Sequence, residues 1–202
     1  VRVLITTIPF SEKDKRPLEL LNKAGAEVVV NPLGRKLKEA DLVELISDVD
    51  VLIAGTESIT EQVLDVATQL KLISRVGIGL DSVDLLAAQQ REIEVCYTPD
   101  APSAAVAELT IGLMIDLLRS VQVSNHRIHR GEWYRYLGRR LSEVTIGIIG
   151  AGRIGSRVIR HLAGFDCNRI LVNDSDSSLV VPSHPKCTVE RSGKDVIYRD
   201  AD

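Results

Sequence analysis

The sequence predicts an α/β protein built on two parallel sheets, the second of them incomplete. Three observations carry that expectation. Short β-branched runs alternate with helical runs through the first hundred residues, a spacing that makes parallel sheets rather than hairpins. A second strand–helix–strand unit follows around a glycine cluster at 147–155. Between the two lies one long apolar helical pattern, opened by the break Pro99-Asp100-Ala101-Pro102.

The first half reads in order as follows. Val1–Thr7 is a buried strand. Lys15–Lys23 carries helical spacing through Leu18, Leu20 and Leu21, and Ala24-Gly25 stops it. Glu27–Val30 is a strand, and Leu37–Ser47 is a helix with Leu42, Leu45 and Ile46 on one face. Asp50–Ala54 is the third strand. Thr60 caps a short helix that turns Val63, Leu64 and Ala67 inward. Leu72–Val76 is a strand, Ser82–Gln90 a helix and Glu94–Tyr97 a fifth strand. Five such units predict a flavodoxin-like sheet of order 2-1-3-4-5.

After Pro102, one helix is expected from Ser103 to about His129. Its apolar positions (Val106, Leu109, Ile111, Leu113, Met114, Leu117, Leu118, Val121) are too many for a single packing face. A helix of this kind is buried on several sides, either in its own core or between subunits. The loop Gly131–Tyr136 holds the one tryptophan and two of the four tyrosines, a concentration typical of interfaces or of core. The run Val144–Ile149 is a strand, Arg153–Leu162 a helix and Arg169–Asn173 a second strand. Ser175–Lys186 is polar, and Lys194–Tyr198 hints at one more helix. Two strands are too few for a complete dinucleotide sheet, so the pattern reads as cut in mid-domain.

Composition excludes several classes of partner. The 202 residues are 45% hydrophobic and 26% charged, an ordinary globular balance. A net charge of −3 gives no electrostatic reason to expect nucleic acid or an anionic membrane. The apolar stretch Ala104–Leu118 is too short and too charged, through Glu108 and Asp116, to span a bilayer. No signal peptide is expected. Cys96, Cys167 and Cys187 are odd in number, lack metal-ligand spacing and read as reduced thiols of a cytoplasmic protein. His126, His129, His161 and His184 form no metal pattern.

The glycine cluster holds Gly150, Gly152 and Gly155 in the spacing G-x-G-x-x-G, after a strand and opening a helix. Gly150 allows the tight turn. Gly152 leaves room for a diphosphate against the backbone, and Gly155 lets helix pack on strand. The positive end of the helix then faces the phosphates. Asp174 lies about 20 residues further on, at the end of the next strand, where a carboxylate accepts from an adenosine ribose and repels a 2′-phosphate. This Rossmann-type unit therefore predicts NAD in preference to NADP.

A second loop, Arg75-Val76-Gly77-Ile78-Gly79, stands at the carboxyl end of the fourth strand. Its glycines expose N–H groups that could nest a carboxylate, with Arg75 adding charge. It reads equally as a strand-to-helix turn capped by Asp81 or Ser82.

Four segments together resemble the D-isomer-specific 2-hydroxyacid dehydrogenases, phosphoglycerate dehydrogenase among them. They are Leu70–Asp81, then Tyr97-Thr98-Pro99 with Val106–Leu109, then Arg130-Gly131-Glu132-Trp133, and Gly147–Gly155. The resemblance implies a substrate domain over 1–98 and the first part of an NAD-binding domain over 99–202. It implies that Val76, Gly77 and Gly79, with Arg75, hold the substrate carboxylate and that Ile78 lies near the nicotinamide. Gly150, Gly152, Arg153, Ile154 and Gly155 would line the diphosphate and Asp174 the ribose. A homodimer would form through the 103–130 helix and the Trp133 loop. The family's catalytic histidine, glutamate and arginine match no position here, so no catalytic residue is expected in this stretch and no turnover from it alone. A phosphate-binding arginine after the third strand is replaced by Ala54-Gly55-Thr56-Glu57, and Pro102 stands where the family often has asparagine. The implied activity is hydride transfer between NAD and a small 2-hydroxy or 2-oxo acid. A non-catalytic, corepressor-like NAD-binding protein is the alternative on the same fold.

Overall fold

The computed structural model describes residues 1–183 and 187–202. It contains two parallel sheets, one in each of two units, Val1–Ala101 and Pro102–Asp202.

The first unit alternates β1 (Arg2–Ile5), α1 (Arg16–Lys23), β2 (Glu27–Val30), α2 (Glu39–Leu45), β3 (Val51–Ala54), α3 (Glu61–Val66), β4 (Leu72–Arg75), α4 (Leu85–Gln90) and β5 (Glu94–Tyr97). The strand order is β2-β1-β3-β4-β5 with every pair parallel, as the alternation predicts. The core of this unit joins Leu4, Leu52 and Ile73 from the three central strands to Leu42, Val63 and Leu64 from the helices and to Ile46 just after α2. Because the chain runs outward from β1 in both directions, the order reverses between β1 and β3. That leaves a crevice at their carboxyl ends.

Two local expectations are corrected. Thr60 occupies the position before α3, but its hydroxyl donates to Glu39 rather than capping the helix. The helix after the glycine loop starts at Leu85 rather than Ser82. Asp84, not Asp81 or Ser82, caps it and accepts from the Ala87 N–H at 2.9 Å.

The second unit runs α5 (Ser103–Arg119), α6 (Val121–His129), a 3-10 turn at Leu141–Glu143, β6 (Thr145–Ile149), α7 (Arg153–Ala163), β7 (Arg169–Asn173), β8 (Thr188–Arg191) and α8 (Lys194–Asp200). The expected single helix from Ser103 to His129 is thus two helices. Ser120 adopts a left-handed conformation with φ +52° and ends α5. The Asp116 carboxylate then accepts the Gln122 N–H at 2.7 Å, so the opening of α6 has a partner. The expectation of two strands in this sheet is also corrected, since β8 pairs with β7 on the side away from β6. The edge of β7 is therefore covered, and the stretch after Asp174 contributes a strand and a helix. The order β6-β7-β8 is one half of a doubly wound dinucleotide sheet. His184, named among the histidines, lies outside the described residues.

Packing in this unit rests on α7 against α5. Ala107 and Ile111 of α5 face Val158, Ile159 and Leu162 of α7 and the strand residues Ile146, Ile148, Ile170 and Val172. Gly147 of β6 admits α8, because a Cβ there would stand 3.0 Å from the Ala201 side chain and closer still to Ile197.

Candidate functional site

The glycine turn sits at the carboxyl end of β6. Gly150 has φ +90°, a conformation that favours glycine, and its N–H donates to the Asn173 carbonyl at 2.7 Å. That bond ties the turn to the end of β7. Gly155 is required sterically, since an added Cβ would overlap the Gly150 carbonyl oxygen. Gly152, the residue before α7, is different. A Cβ there meets nothing of the chain within 4 Å, so the space beside it is open to a ligand. The first N–H groups of α7 face that space with the positive end of the helix dipole. Arg153 is exposed, and Ile154 packs partly against the core.

Asp174 closes the arrangement. Its Oδ2 accepts the Ala151 N–H at 2.6 Å and its Oδ1 accepts the Asp176 N–H at 2.8 Å. These two bonds, the Asp176 one foremost, hold its carboxyl below the ordinary aspartate range. The group is ionised at neutral pH. Each oxygen keeps a lone pair for a vicinal diol. Arg191 does not turn the site into one for a 2′-phosphate, because its guanidinium donates to the carbonyls of Asp176 and Leu179. Open space at Gly152, free N–H groups at a helix start and an ionised carboxylate beyond them fit a dinucleotide with an unmodified ribose.

The second loop lies in the first unit, at the carboxyl end of β4. The Val76 N–H donates to the Ala54 carbonyl at 2.8 Å. Gly77 has φ +148° and is clamped by Thr98. Its N–H donates to Thr98 Oγ1 at 2.9 Å and its carbonyl accepts the Thr98 N–H at 3.0 Å. The expectation of a free Gly77 N–H is therefore corrected. Its donor is used within the loop, while the N–H groups of Ile78 and Gly79 have no partner among the described residues. Arg75 does not point outward as a lone surface cation. Its guanidinium folds over Gly77 and donates to the Val76 carbonyl. The Val76 side chain is half-exposed.

Residues beyond the sequence-based set also stand here. Thr98 fixes the bend at Gly77, a role visible only once β5 is paired beside β4. Glu57, just past β3, is a carboxylate with 2% exposure. Among the described residues, no metal cluster of three or more His, Cys, Asp or Glu occurs, and no helix is long and apolar enough to cross a membrane.

Residues 3–196 match the family described as D-isomer specific 2-hydroxyacid dehydrogenase, catalytic domain. The chain is 37% identical over 174 residues to a D-3-phosphoglycerate dehydrogenase of Methanocaldococcus jannaschii, covering 84% of this chain and 32% of that protein. It is 31% identical over 193 residues to a hydroxypyruvate reductase of Thermotoga maritima, covering 94% and 60% respectively. The crystal structure of an NAD+-bound 3-phosphoglycerate dehydrogenase of Entamoeba histolytica superposes with a TM-score of 0.74 at 28% identity. The match covers 99% of this chain and 60% of that one. The chain thus spans between a third and three fifths of the length of these relatives.

Proposed function

The chain belongs to the D-isomer-specific 2-hydroxyacid dehydrogenase family, and from that premise we propose that the protein is an NAD-dependent oxidoreductase of small D-2-hydroxy acids. The observation that carries the cofactor assignment is the Gly152–Asp174 arrangement, which offers a diphosphate its space and a ribose its acceptor. The NAD+-bound relative supports it. When bound, the cofactor supplies or takes the hydride at C2 of the substrate.

The chain's own residues bind and orient. Gly150, Gly152, Arg153, Ile154 and Gly155 hold the diphosphate, and Asp174 holds the ribose. The N–H groups of Ile78 and Gly79 donate to the substrate carboxylate, with Val76 and Gly77 shaping the loop and Arg75 adding positive charge over it. Ile78 also lies against the nicotinamide. Fixing the two reacting carbons in contact is the contribution these residues make to the rate. We assign the proton transfer to no residue of this stretch. We assign 1–98 to substrate binding and 99–202 to the cofactor, and a cytoplasmic location in keeping with the three free thiols. Homodimerisation occurs through α5, α6 and the Trp133 loop, which carry exposed apolar side chains at Leu109, Leu113, Leu117, Ile128 and Trp133.

The test is NADH oxidation by the full-length protein with glyoxylate, pyruvate and hydroxypyruvate, run beside a fluorescence titration of NADH. Turnover of any of these supports the proposal. NADH binding without turnover of any 2-oxo acid replaces it with the corepressor-like reading.

A further inference from the structure

The crevice between the carboxyl ends of β1 and β3 contains a buried acid with an unused oxygen. Glu57 is 2% exposed. Its Oε1 accepts the Gly55 N–H at 3.0 Å and the Thr6 hydroxyl, and those two bonds fix the carboxylate in place. Its Oε2 accepts no hydrogen bond among the described residues. This oxygen is not sealed from water, so a ligand that displaced the water would have to supply it a donor. Glu57 borders a cavity of about 130 Å³ that is also lined by Thr7, Lys36, Thr56 and Val76. Gly55 keeps the cavity open, since a Cβ there would stand 3.0 Å from Oε2 and 3.1 Å from the Thr7 backbone. The crevice lies at the β1/β3 reversal of a 2-1-3-4-5 sheet, the place where such sheets bind ligands. It is continuous with the substrate loop through Val76, whose N–H is bonded to Ala54.

Resting on the dehydrogenase reading above, we propose that this cavity receives the substrate beyond C2 and that Glu57 Oε2 accepts a hydrogen bond from a hydroxyl on C3. The substrate class is therefore the 3-hydroxy-2-oxo acids and the matching 2,3-dihydroxy acids, not their phosphate esters and not acids with a bare methyl at C3. A hydroxyl supplies the missing donor. A methyl leaves Oε2 unpaired on binding. A phosphate places its negative charge against the carboxylate, although the exposed Lys36 also lines the cavity. A site built around a substrate hydroxyl discriminates strongly against analogues lacking it, because its own polar group is otherwise left unpaired.

The experiment compares kcat/KM of the full-length protein for hydroxypyruvate, pyruvate and 3-phosphohydroxypyruvate with NADH, in wild type and in Glu57→Gln. Gln can keep the carbonyl toward Gly55 while presenting an N–H2 group where the free acceptor stood. Hydroxypyruvate should be the best of the three. Its kcat/KM should fall about tenfold or more in the variant, with the pyruvate value within about twofold of wild type. Equal losses on both substrates, or 3-phosphohydroxypyruvate as the best, overturn the proposal. Gly55→Ala, whose methyl would crowd Oε2 and narrow the cavity while leaving the acid in the sequence, should lower hydroxypyruvate turnover more than that of the tail-less glyoxylate. Equal effects there also overturn it. If no 2-oxo acid is reduced, the dehydrogenase reading fails, and the cavity is tested by binding alone. D-glycerate but not D-lactate should then shift the Gly55 amide resonance in wild type and not in Glu57→Gln. No shift, or equal shifts, overturns the proposal.

Discussion

The carboxylate of Asp174 accepts a hydrogen bond from the N–H of Ala151 at 2.6 Å, across 23 residues of sequence. The bond joins the end of β7 to the glycine turn after β6. The residue we propose for the ribose is thereby fixed to the turn we propose for the diphosphate. In wild type, NADH should bind more tightly than NADPH in a fluorescence titration of the full-length protein. Replacing Asp174 by Ala should narrow that gap by removing the charge and loosening the turn. Tighter NADPH binding by wild type overturns the assignment. Because its native-state pKa lies below the usual aspartate value near 4, Asp174 stays charged from neutrality down to that range. Its favourable contribution to the fold is present above that value and is lost only as pH falls below it.

Gly152 and Gly155 serve the same motif by different physics, and substitution should separate them. A Cβ at Gly152 meets nothing of the chain, whereas one at Gly155 overlaps the Gly150 carbonyl. Gly152→Val should therefore abolish NADH binding with a near-wild-type melting temperature. Gly155→Val should destabilise the second unit by about 1–3 kcal/mol, the ordinary cost of forced overpacking. Circular dichroism melting and NADH titration on both variants decide it. Unimpaired binding by Gly152→Val means the turn is structural only.

The Gly77–Thr98 clamp makes a further claim. Thr98→Val keeps the shape and removes the hydroxyl that accepts the Gly77 N–H. A hydrogen bond of this kind contributes about 1 kcal/mol net. The expected results are a loss of stability of that size on urea unfolding and a raised KM for the 2-oxo acid. An unchanged KM would show that the bend at Gly77 does not position the substrate.

The three thiols should differ in reactivity. Cys96 is exposed, whereas Cys167 and Cys187 are buried. Burial pushes the Cys167 thiol up to about 11, which leaves almost no thiolate at pH 8. In the native protein a disulfide reagent should modify Cys96 first, and Cys167 only on unfolding, read as modification kinetics with and without denaturant. Rapid native-state modification of Cys167 would contradict the packing around it.

Much of the fold was legible because the signals were local. β1 and β3 are mostly β-branched or leucine residues and β4 opens on Leu72-Ile73, and their parallel order follows from the helices between them. The glycine turn was legible for the same reason. What escaped was set by contacts distant in sequence. Thr188-Val189-Glu190-Arg191 has one apolar residue, and it becomes a strand only by pairing with β7. Nothing in Arg119-Ser120-Val121 marks a break, which depends on the left-handed Ser120 and the turned-back Asp116 carboxylate. Glu57 reads as a solvent-facing acid in a polar turn until Thr6, 51 residues earlier, is placed against it. Gly77 looked like a free donor until β5 brought Thr98 beside it.

The apolar breadth of α5 is the one sequence signal that its own unit does not absorb. Ala107 and Ile111 are buried and Met114, Ile115 and Leu118 pack partly on the core. Leu109, Leu113 and Leu117 recur every four residues on another face and are exposed, Leu117 by 82%. Trp133, exposed by 85%, and Leu137, by 98%, add to the apolar surface of the same unit. A stripe of this size is rarely left to water in a stable protein. A second copy meeting it across a two-fold axis offers a self-complementary cover. The full-length protein should be dimeric by light scattering. Leu113→Glu combined with Leu117→Glu places four uncompensated charges at such an interface and should weaken the dimer about a hundredfold or more, ~3 kcal/mol. NADH binding should persist in the variant, because neither leucine is among the residues assigned to the cofactor. A monomeric wild type, or a variant that stays fully dimeric at low micromolar concentration, would remove this face from the interface.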